Sequence, residues 1–382
     1  MEAIYLDHAA TTPMHPDVID VMHQVAKEVF GNPSSVHSFG RKARRLLDEA
    51  RETLAQSIGA DEKEIIFTSG GTEADNLALI GTALANRNRG NHIITTQQEH
   101  HAALHTAEYL ESAGFSVTYL PVYEDGKIKA EDVKEALTDE TILVSVMYVN
   151  NETGIIQPVE EIGALLKNHS AYFHTDAVQA YGLLDIDVKQ LGIDLLSVSA
   201  HKINGPKGIG FLYAREGIAL QQLQFGGEQE RKRRAGTENV VSAVGFQKAV
   251  QLAIKEREHR NALYQSYKQI FLEVLKEQGI EFAINGDIES QIATIINIRF
   301  PGTNVEQLLT NLDLDGIAAS SGSACTAGSV EPSHVLVAMY GKNSPCITDS
   351  IRFSFGSFNT EENVREAAKR VAKIIQRLTK KG

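Results

Sequence analysis

Residues 197–210 read SVSAHKINGPKGIG, an apolar strand pattern that ends near Lys202 and runs into a turn of glycine and proline. Ligands of open α/β sheets sit beyond the carboxyl ends of the strands, so an amine at that place is positioned for chemistry. A lone lysine there is usually a surface residue; its companions decide otherwise. The run AYFHTD ends at Asp176, with Gln179 shortly after it. The run EIIFTS leads into SGGTEADN, where a Gly-Gly turn enters a helix. That turn leaves the backbone N–H groups of Gly71 and Thr72 free beside the Thr72 hydroxyl, which is the composition of a phosphate site. TTQQEHHAA supplies His100, an imidazole able to stack on a ring and to move protons. His101 competes with it, although its plainer role is a first-turn helix residue facing solvent. A phosphate site, a lysine amine and a carboxylate at one sheet edge suit pyridoxal 5'-phosphate (PLP). The lysine bonds the cofactor covalently, and the carboxylate keeps the pyridine nitrogen protonated as an electron sink.

The second chemically loaded stretch is SSGSACTAG, residues 320–328, which holds Cys325 among the smallest side chains. A free cysteine is ordinarily a small buried hydrophobe. Here no large apolar residue lies between Ala318 and Ser329, and Gly322 and Gly328 bracket the thiol with backbone freedom. The pattern fits a thiol that must move. To act as a nucleophile it must be a thiolate, and an ordinary thiol near pKa 8.5 is mostly protonated at neutral pH. His100, or the substrate itself, is the expected aid to deprotonation. Cys346, in KNSPCITDS, has no such setting and reads as incidental.

The elements that must position these residues are legible as alternating patterns. Strands are predicted at 64–69, 92–96, 116–120, 141–149, 171–176, 195–200 and 209–214, with helical patterns between them. Strands alternating with helices give a mostly parallel sheet wrapped on both faces. A long helix or helix pair near 242–278 follows, and then a smaller α/β pattern with strands at 293–300, 316–320 and 350–356. A closing helix begins after Thr360, a good N-cap with acids in its first turn.

Bulk properties bound the partners. The chain has 382 residues, 37 basic and 49 acidic, for a net charge of −12. That balance repels polyanions, so no direct nucleic-acid partner is expected. The basic runs RKRR at 231–234 and KRVAKIIQRLTKKG at the C-terminus read as solvated surface. No apolar run approaches a membrane span, no secretory leader is visible, and two cysteines make no disulfide framework. A cytoplasmic location is expected.

YLDHAATTP, GNPSSVHSFG, SGGTEADN, EHHA, VNNETG, HTDAVQ, SAHKINGPKGIG, RAGTEN, SSGSACTAG and SIRFSFG follow one another along the chain. In that order they resemble fold-type I PLP enzymes of the class V aminotransferase group, and within it cysteine desulfurases of the NifS/IscS type. The resemblance implies a large PLP-binding domain with a mostly parallel seven-stranded sheet and a smaller C-terminal α/β domain. It implies a division into 1–15, an N-terminal segment packing with the small domain; 16–257, the large domain; and 258–382, the small domain carrying the cysteine loop. Lys202 would carry the cofactor, Asp176 would pair with its ring nitrogen, and Gln179 would bond its phenolic oxygen. His100 would stack on the ring. Gly71, Thr72, Ser199 and His201 would hold the phosphate, joined by Thr237 from a second subunit of an obligate homodimer. Asn151 would lie near the ring oxygen and substrate, while Asn32 and Arg352 would grip the substrate carboxylate, for which guanidinium is the natural bidentate partner.

The implied reaction removes sulfur from L-cysteine, releases L-alanine and leaves a persulfide on Cys325. The sulfur then passes to an acceptor protein, an Fe–S scaffold or a tRNA thiolation enzyme. No resident metal is implied, although Cys325 could ligate an Fe–S cluster transiently on a scaffold partner. The long form of the cysteine loop implies a disordered segment around 322–332. Rivals on the same scaffold are a selenocysteine lyase or an aminotransferase, and, from a different class, a non-catalytic sulfur-relay or scaffold subunit that keeps the fold but has lost the chemistry.

Overall fold

The computed structural model describes residues 3–322 and 332–379. Cys325 and the core of the segment expected to be disordered therefore lie outside the described residues.

A short strand β1 (Ile4–Tyr5) opens the chain. Seven strands then build the main sheet: β2 (Ile65–Thr68), β3 (His92–Thr96), β4 (Ser116–Leu120), β5 (Thr141–Ser145), β6 (Tyr172–Asp176), β7 (Leu195–Ser199) and β8 (Gly210–Ala214). Their order is β2-β8-β7-β6-β5-β3-β4, and β8 alone runs antiparallel to its neighbours. β5, β6 and β7 are buried along most of their length, as expected of apolar strands covered on both faces. The seven predicted strands are all found, and one of them stops well short of its predicted end. The apolar run TILVSVMYV predicts a strand to residue 149, yet β5 stops at Ser145. The cause is a side chain: Met147 donates its N–H to Glu99 Oε1 at 3.0 Å, so a carboxylate occupies a ladder position. On the other edge Val146 and Tyr148 still donate to the His174 and Asp176 carbonyls of β6, at 3.1 and 2.9 Å.

Beyond the sheet, a helix from Val240 to Glu277 spans both hydrophobic cores. Ala243, Phe246, Ala249 and Val250 pack into the core of the seven-stranded sheet. Tyr264, Tyr267, Phe271 and Leu275 pack into a second core. That second core holds β9 (Ala283–Ile284), β10 (Ile295–Arg299), β11 (Ile317–Ala318), β12 (Ser350–Ser354) and the closing helix Glu361–Thr379. β12, β10 and β9 form an antiparallel sheet, while β1 pairs in parallel with β11, drawing Ile4 and Leu6 into the same core. The closing helix is capped as its sequence suggests: Thr360 Oγ1 accepts from Asn363 N–H and Asn363 Oδ1 accepts from Thr360 N–H.

The RKRR run is not a free basic patch. Arg231 lies 3.9 Å from Glu62 and Lys232 3.0 Å from Glu228. Arg233 donates to the Lys63 carbonyl, and Arg234 grips Glu73 with two bonds of 2.7 and 3.2 Å. The turn beside it is strained, since Glu230, Arg231 and Lys232 all adopt positive φ, at 47°, 55° and 64°. A buried ion pair holds it. Arg51 donates to both Glu230 oxygens at 2.7 Å, and Glu230 Oε2 also accepts from Phe67 N–H at 3.1 Å. Replacing Glu230 by alanine strands the Arg51 charge in the interior. The unfolding free energy should fall by about 3–5 kcal/mol in urea titrations at fixed protein concentration. The paired change Arg51→Met with Glu230→Leu should lose much less, because no charge is then left unpaired.

Candidate active site

β3, β5, β6 and β7 run parallel, so their carboxyl ends meet along one edge of the sheet. A cavity of about 590 Å³ opens there. β7 delivers Ser199 and, one short turn later, His201 and Lys202; β6 delivers Asp176 and Gln179; the turn after β3 delivers His100. Gly71 and Thr72 line it from the start of the helix after β2, and Asn151 from the segment after β5. Arg352 reaches in from β12 of the second core. Two predicted residues are not brought here by this chain. Asn32 is exposed, its Oδ1 accepting from Ser34 N–H, and Thr237 lines a separate cavity of about 220 Å³. Cys346 does not line the cavity either; it sits half-buried in the Pro345–Ile347 turn.

Lys202 Nζ donates to the carbonyls of Ala9 at 2.5 Å and Ala10 at 2.9 Å. Burial lowers its amine to about 8; Arg352 adds to the fall, while Asp176 and Asp7 oppose it. Asp176 moves the other way. Burial raises its carboxyl to about 6, against a hydrogen bond from Val178 N–H and the Lys202 charge. Gln179 Nε2 is held on the Ala9 carbonyl at 2.9 Å. Arg352 donates through Nη1 to the Asn151 carbonyl and through Nη2 to Asp7, both at 2.8 Å, and its buried Nε has no partner among the described residues.

His100 caps the helix His101–Ser112, its Nδ1 accepting from Ala102 N–H at 3.1 Å. Burial, followed by the Lys202 charge, lowers the ring to about 4, so it is neutral at pH 7. With its lone pair on Nδ1 engaged, the ring presents Nε2–H to the cavity as a donor. That geometry does not carry the expectation that His100 deprotonates Cys325. His101 also departs from a plain solvent-facing role: its Nε2 lies 3.1 Å from Nδ1 of His334, and both rings line the cavity. His201, lowered to about 4 chiefly by burial, is neutral and contacts Thr11 Oγ1 at 3.1 Å.

Two buried acids, Asp75 and Glu152, and His334 complete the walls, with a third buried acid, Glu99, behind them on Met147 N–H; none was singled out by the sequence reading. Asp75 lies in SGGTEADN and Glu152 in VNNETG, both 1 % exposed, while Glu99 in QQEHH is fully buried. Glu152 Oε2 accepts from Ser333 Oγ at 2.5 Å, and a Cβ on Gly322 would come within 2.6 Å of the same oxygen. Glu152 thus stands between the two points where the described chain stops and resumes around Cys325. The available signal was an acid inside each motif, next to residues already assigned.

The donor set fits PLP: an amine, a buried carboxylate, and a glycine turn at a helix start. Gly71 is tight there, a Cβ on it meeting Val178 Cγ2 at 2.8 Å, so backbone N–H groups can approach an anion closely. Fold and cavity together define a PLP-dependent enzyme. Residues 4–366 match the family model described as aminotransferase class-V, and the chain belongs to that family. It is 61% identical to "Putative cysteine desulfurase IscS 1" of Bacillus subtilis, over 99% of this chain and all of that protein. It is 48% identical to "Cysteine desulfurase IscS" of Clostridium botulinum, over 98% of this chain and 94% of that one. Among solved structures, a "NifS-like protein" superposes with a TM-score of 0.91 at 35% identity, covering 98% of this chain and 99% of that one. "SspA in complex with cysteine" gives 0.82 at 37% identity, over 93% and 99%.

Proposed function

We propose that this protein is a cysteine desulfurase: L-cysteine and the Cys325 thiol give L-alanine and a Cys325 persulfide. The carbon–sulfur bond of the substrate breaks, a sulfur–sulfur bond forms, and the thiol proton replaces sulfur on carbon, so no oxidant is needed. The observation that carries the role of Cys325 is placement. Gly322 and His334, on either side of the segment holding it, both line the cavity with Lys202, Asp176 and Arg352. The full-length relatives named for this reaction support the same reading.

Bound PLP supplies an electron sink that weakens the bond from substrate Cβ to sulfur. Lys202, with its lowered proton affinity, has a free amine accessible near neutral pH to carry the cofactor and move the substrate α-proton. Asp176 would pair with the ring nitrogen, and His100 would lie against the ring as a hydrogen-bond donor. Gly71, Thr72, Ser199 and His201 would hold the phosphate. Arg352, whose Nε has no partner among the described residues, would orient the substrate carboxylate beside Asn151. We assign Thr237 and Asn32 to the cavity of a second subunit. Phe30, Val36, Phe39 and Phe225 are 76, 89, 55 and 77 % exposed, an apolar surface that a homodimer would cover. The sulfur acceptor is a protein of Fe–S assembly or tRNA thiolation in the cytoplasm, and the chain divides at 15 and 257 into the expected domains.

Incubation with cysteine and no keto acid should yield alanine and one persulfide per chain on Cys325, located by mass spectrometry. Alanine formed only when a keto acid is supplied would sink the reading in favour of transamination.

A further inference from the structure

Asp75 lies close to Asp176. A carboxylate oxygen of each and a ring nitrogen of His100 lie within 4.8 Å of one another. Both acids are buried, and Asp75 Oδ1 has no hydrogen-bond partner among the described residues. The nearest base to that oxygen is His174 Nε2 at 3.6 Å. His174 supplies no charge: its nitrogens meet Ser145 Oγ at 2.8 Å and Ser197 Oγ at 3.0 Å, and burial lowers it to about 3. Lys202, the nearby amine, acts on Asp176 and is held on backbone carbonyls. Glu99, another buried acid that acts on Asp75, supplies no cation, and burial raises its own carboxyl to about 8.

Two buried carboxylates this close do not both ionise near neutral pH; the pair keeps one proton. Positive charge is available to Asp176 and not to Asp75. We infer that Asp75 is a positioning residue that holds a proton beside Asp176, so that the acid pair carries one negative charge, matched to one positive charge on the ring nitrogen. The inference rests on the PLP reading for that matching, but the proton on Asp75 does not depend on it. The direction of the Asp75 shift agrees: burial raises it most, then Asp176, with Glu99 adding and a Ser197 hydrogen bond opposing.

The test is infrared difference spectroscopy of the full chain at about pH 9, where Glu99, raised to about 8, has mostly lost its proton. Without cofactor, the wild type should show the carbonyl band of a buried carboxylic acid, and D75N should lack it while Glu99→Gln retains it. Aspartate-specific carbon-13 labelling should shift the band with no substitution at all, which keeps the test sharp even if D75N folds poorly. A band surviving in D75N, or absent from the wild type, overturns the proton assignment. With PLP added, the band should persist; its disappearance on binding overturns charge matching alone. A chain that binds no PLP would instead strike the proposed function and leave the cofactor-free result standing.

Discussion

Replacing Cys325 by serine is expected to abolish persulfide formation, lowering alanine release from cysteine by on the order of a thousandfold or more. A hydroxyl has far too high a proton affinity to act as the sulfur-accepting anion, whereas a thiol is within reach of ionisation near neutral pH. The groups that bind substrate and cofactor lie elsewhere, on β3, β6, β7 and β12, so the variant should keep its PLP absorbance and its cysteine-induced spectral change. The substitution also settles which thiol acts, because it leaves Cys346 as the sole cysteine. Cys346 sits in a turn closed by Ser344 Oγ on its N–H and Ser350 Oγ on its carbonyl, away from the cavity. Mass spectrometry after incubation with cysteine should show no added sulfur on the chain. A persulfide retained on Cys346, or undiminished alanine release, would sink the role given to Cys325.

Much of the site was legible because its residues follow strand ends, and strand ends carry local signals. Lys202, Asp176, Gln179 and His100 each close an apolar run, and the Gly-Gly turn before Thr72 announces a helix start by composition alone. What stayed hidden depends on pairs distant in sequence. Glu152 meets Ser333 across 181 residues, and Arg51 meets Glu230 across 179. No local pattern reveals that Arg352, read as a free carboxylate clamp, already bonds Asp7 through one nitrogen. The early end of β5 belongs to the same class, since Glu99 intrudes from another strand's exit. Asp75 was visible as a residue but not as an acid lacking a cation, because its neighbours come from β6 and β7. Charge counting by segment also misled in a small way: RKRR looks basic in sequence, yet its acids come from 62, 73 and 228.

Replacing Lys202 by alanine is expected to lower turnover by roughly a thousandfold, the scale on which a positioned proton carrier contributes. The amine is special in three measurable ways. It lies within reach of both Ala9 and Ala10 carbonyls, it shares a cavity with Asp176 and Arg352, and burial brings it to about 8 from the ordinary 10.5. The sign of that shift favours chemistry: a lowered pKa means more free amine at any neutral pH, and only the free amine bonds a carbonyl carbon or accepts a proton. Charge alone would not serve. Lys202→Arg keeps a cation in the cavity but one that does not deprotonate near neutral pH, so it should be as inactive as the alanine variant. Cofactor retention separates this loss from unfolding. Gly71, Thr72, Asp176, Gln179, Ser199 and His201 remain in place, so Lys202→Ala should still bind PLP, with the absorbance of free aldehyde in place of that of the lysine-linked form. Added small primary amines should restore part of the rate, because the cavity left by the side chain admits them. Undiminished turnover in the arginine variant would show that the cation, and not the free amine, is what the site requires of Lys202.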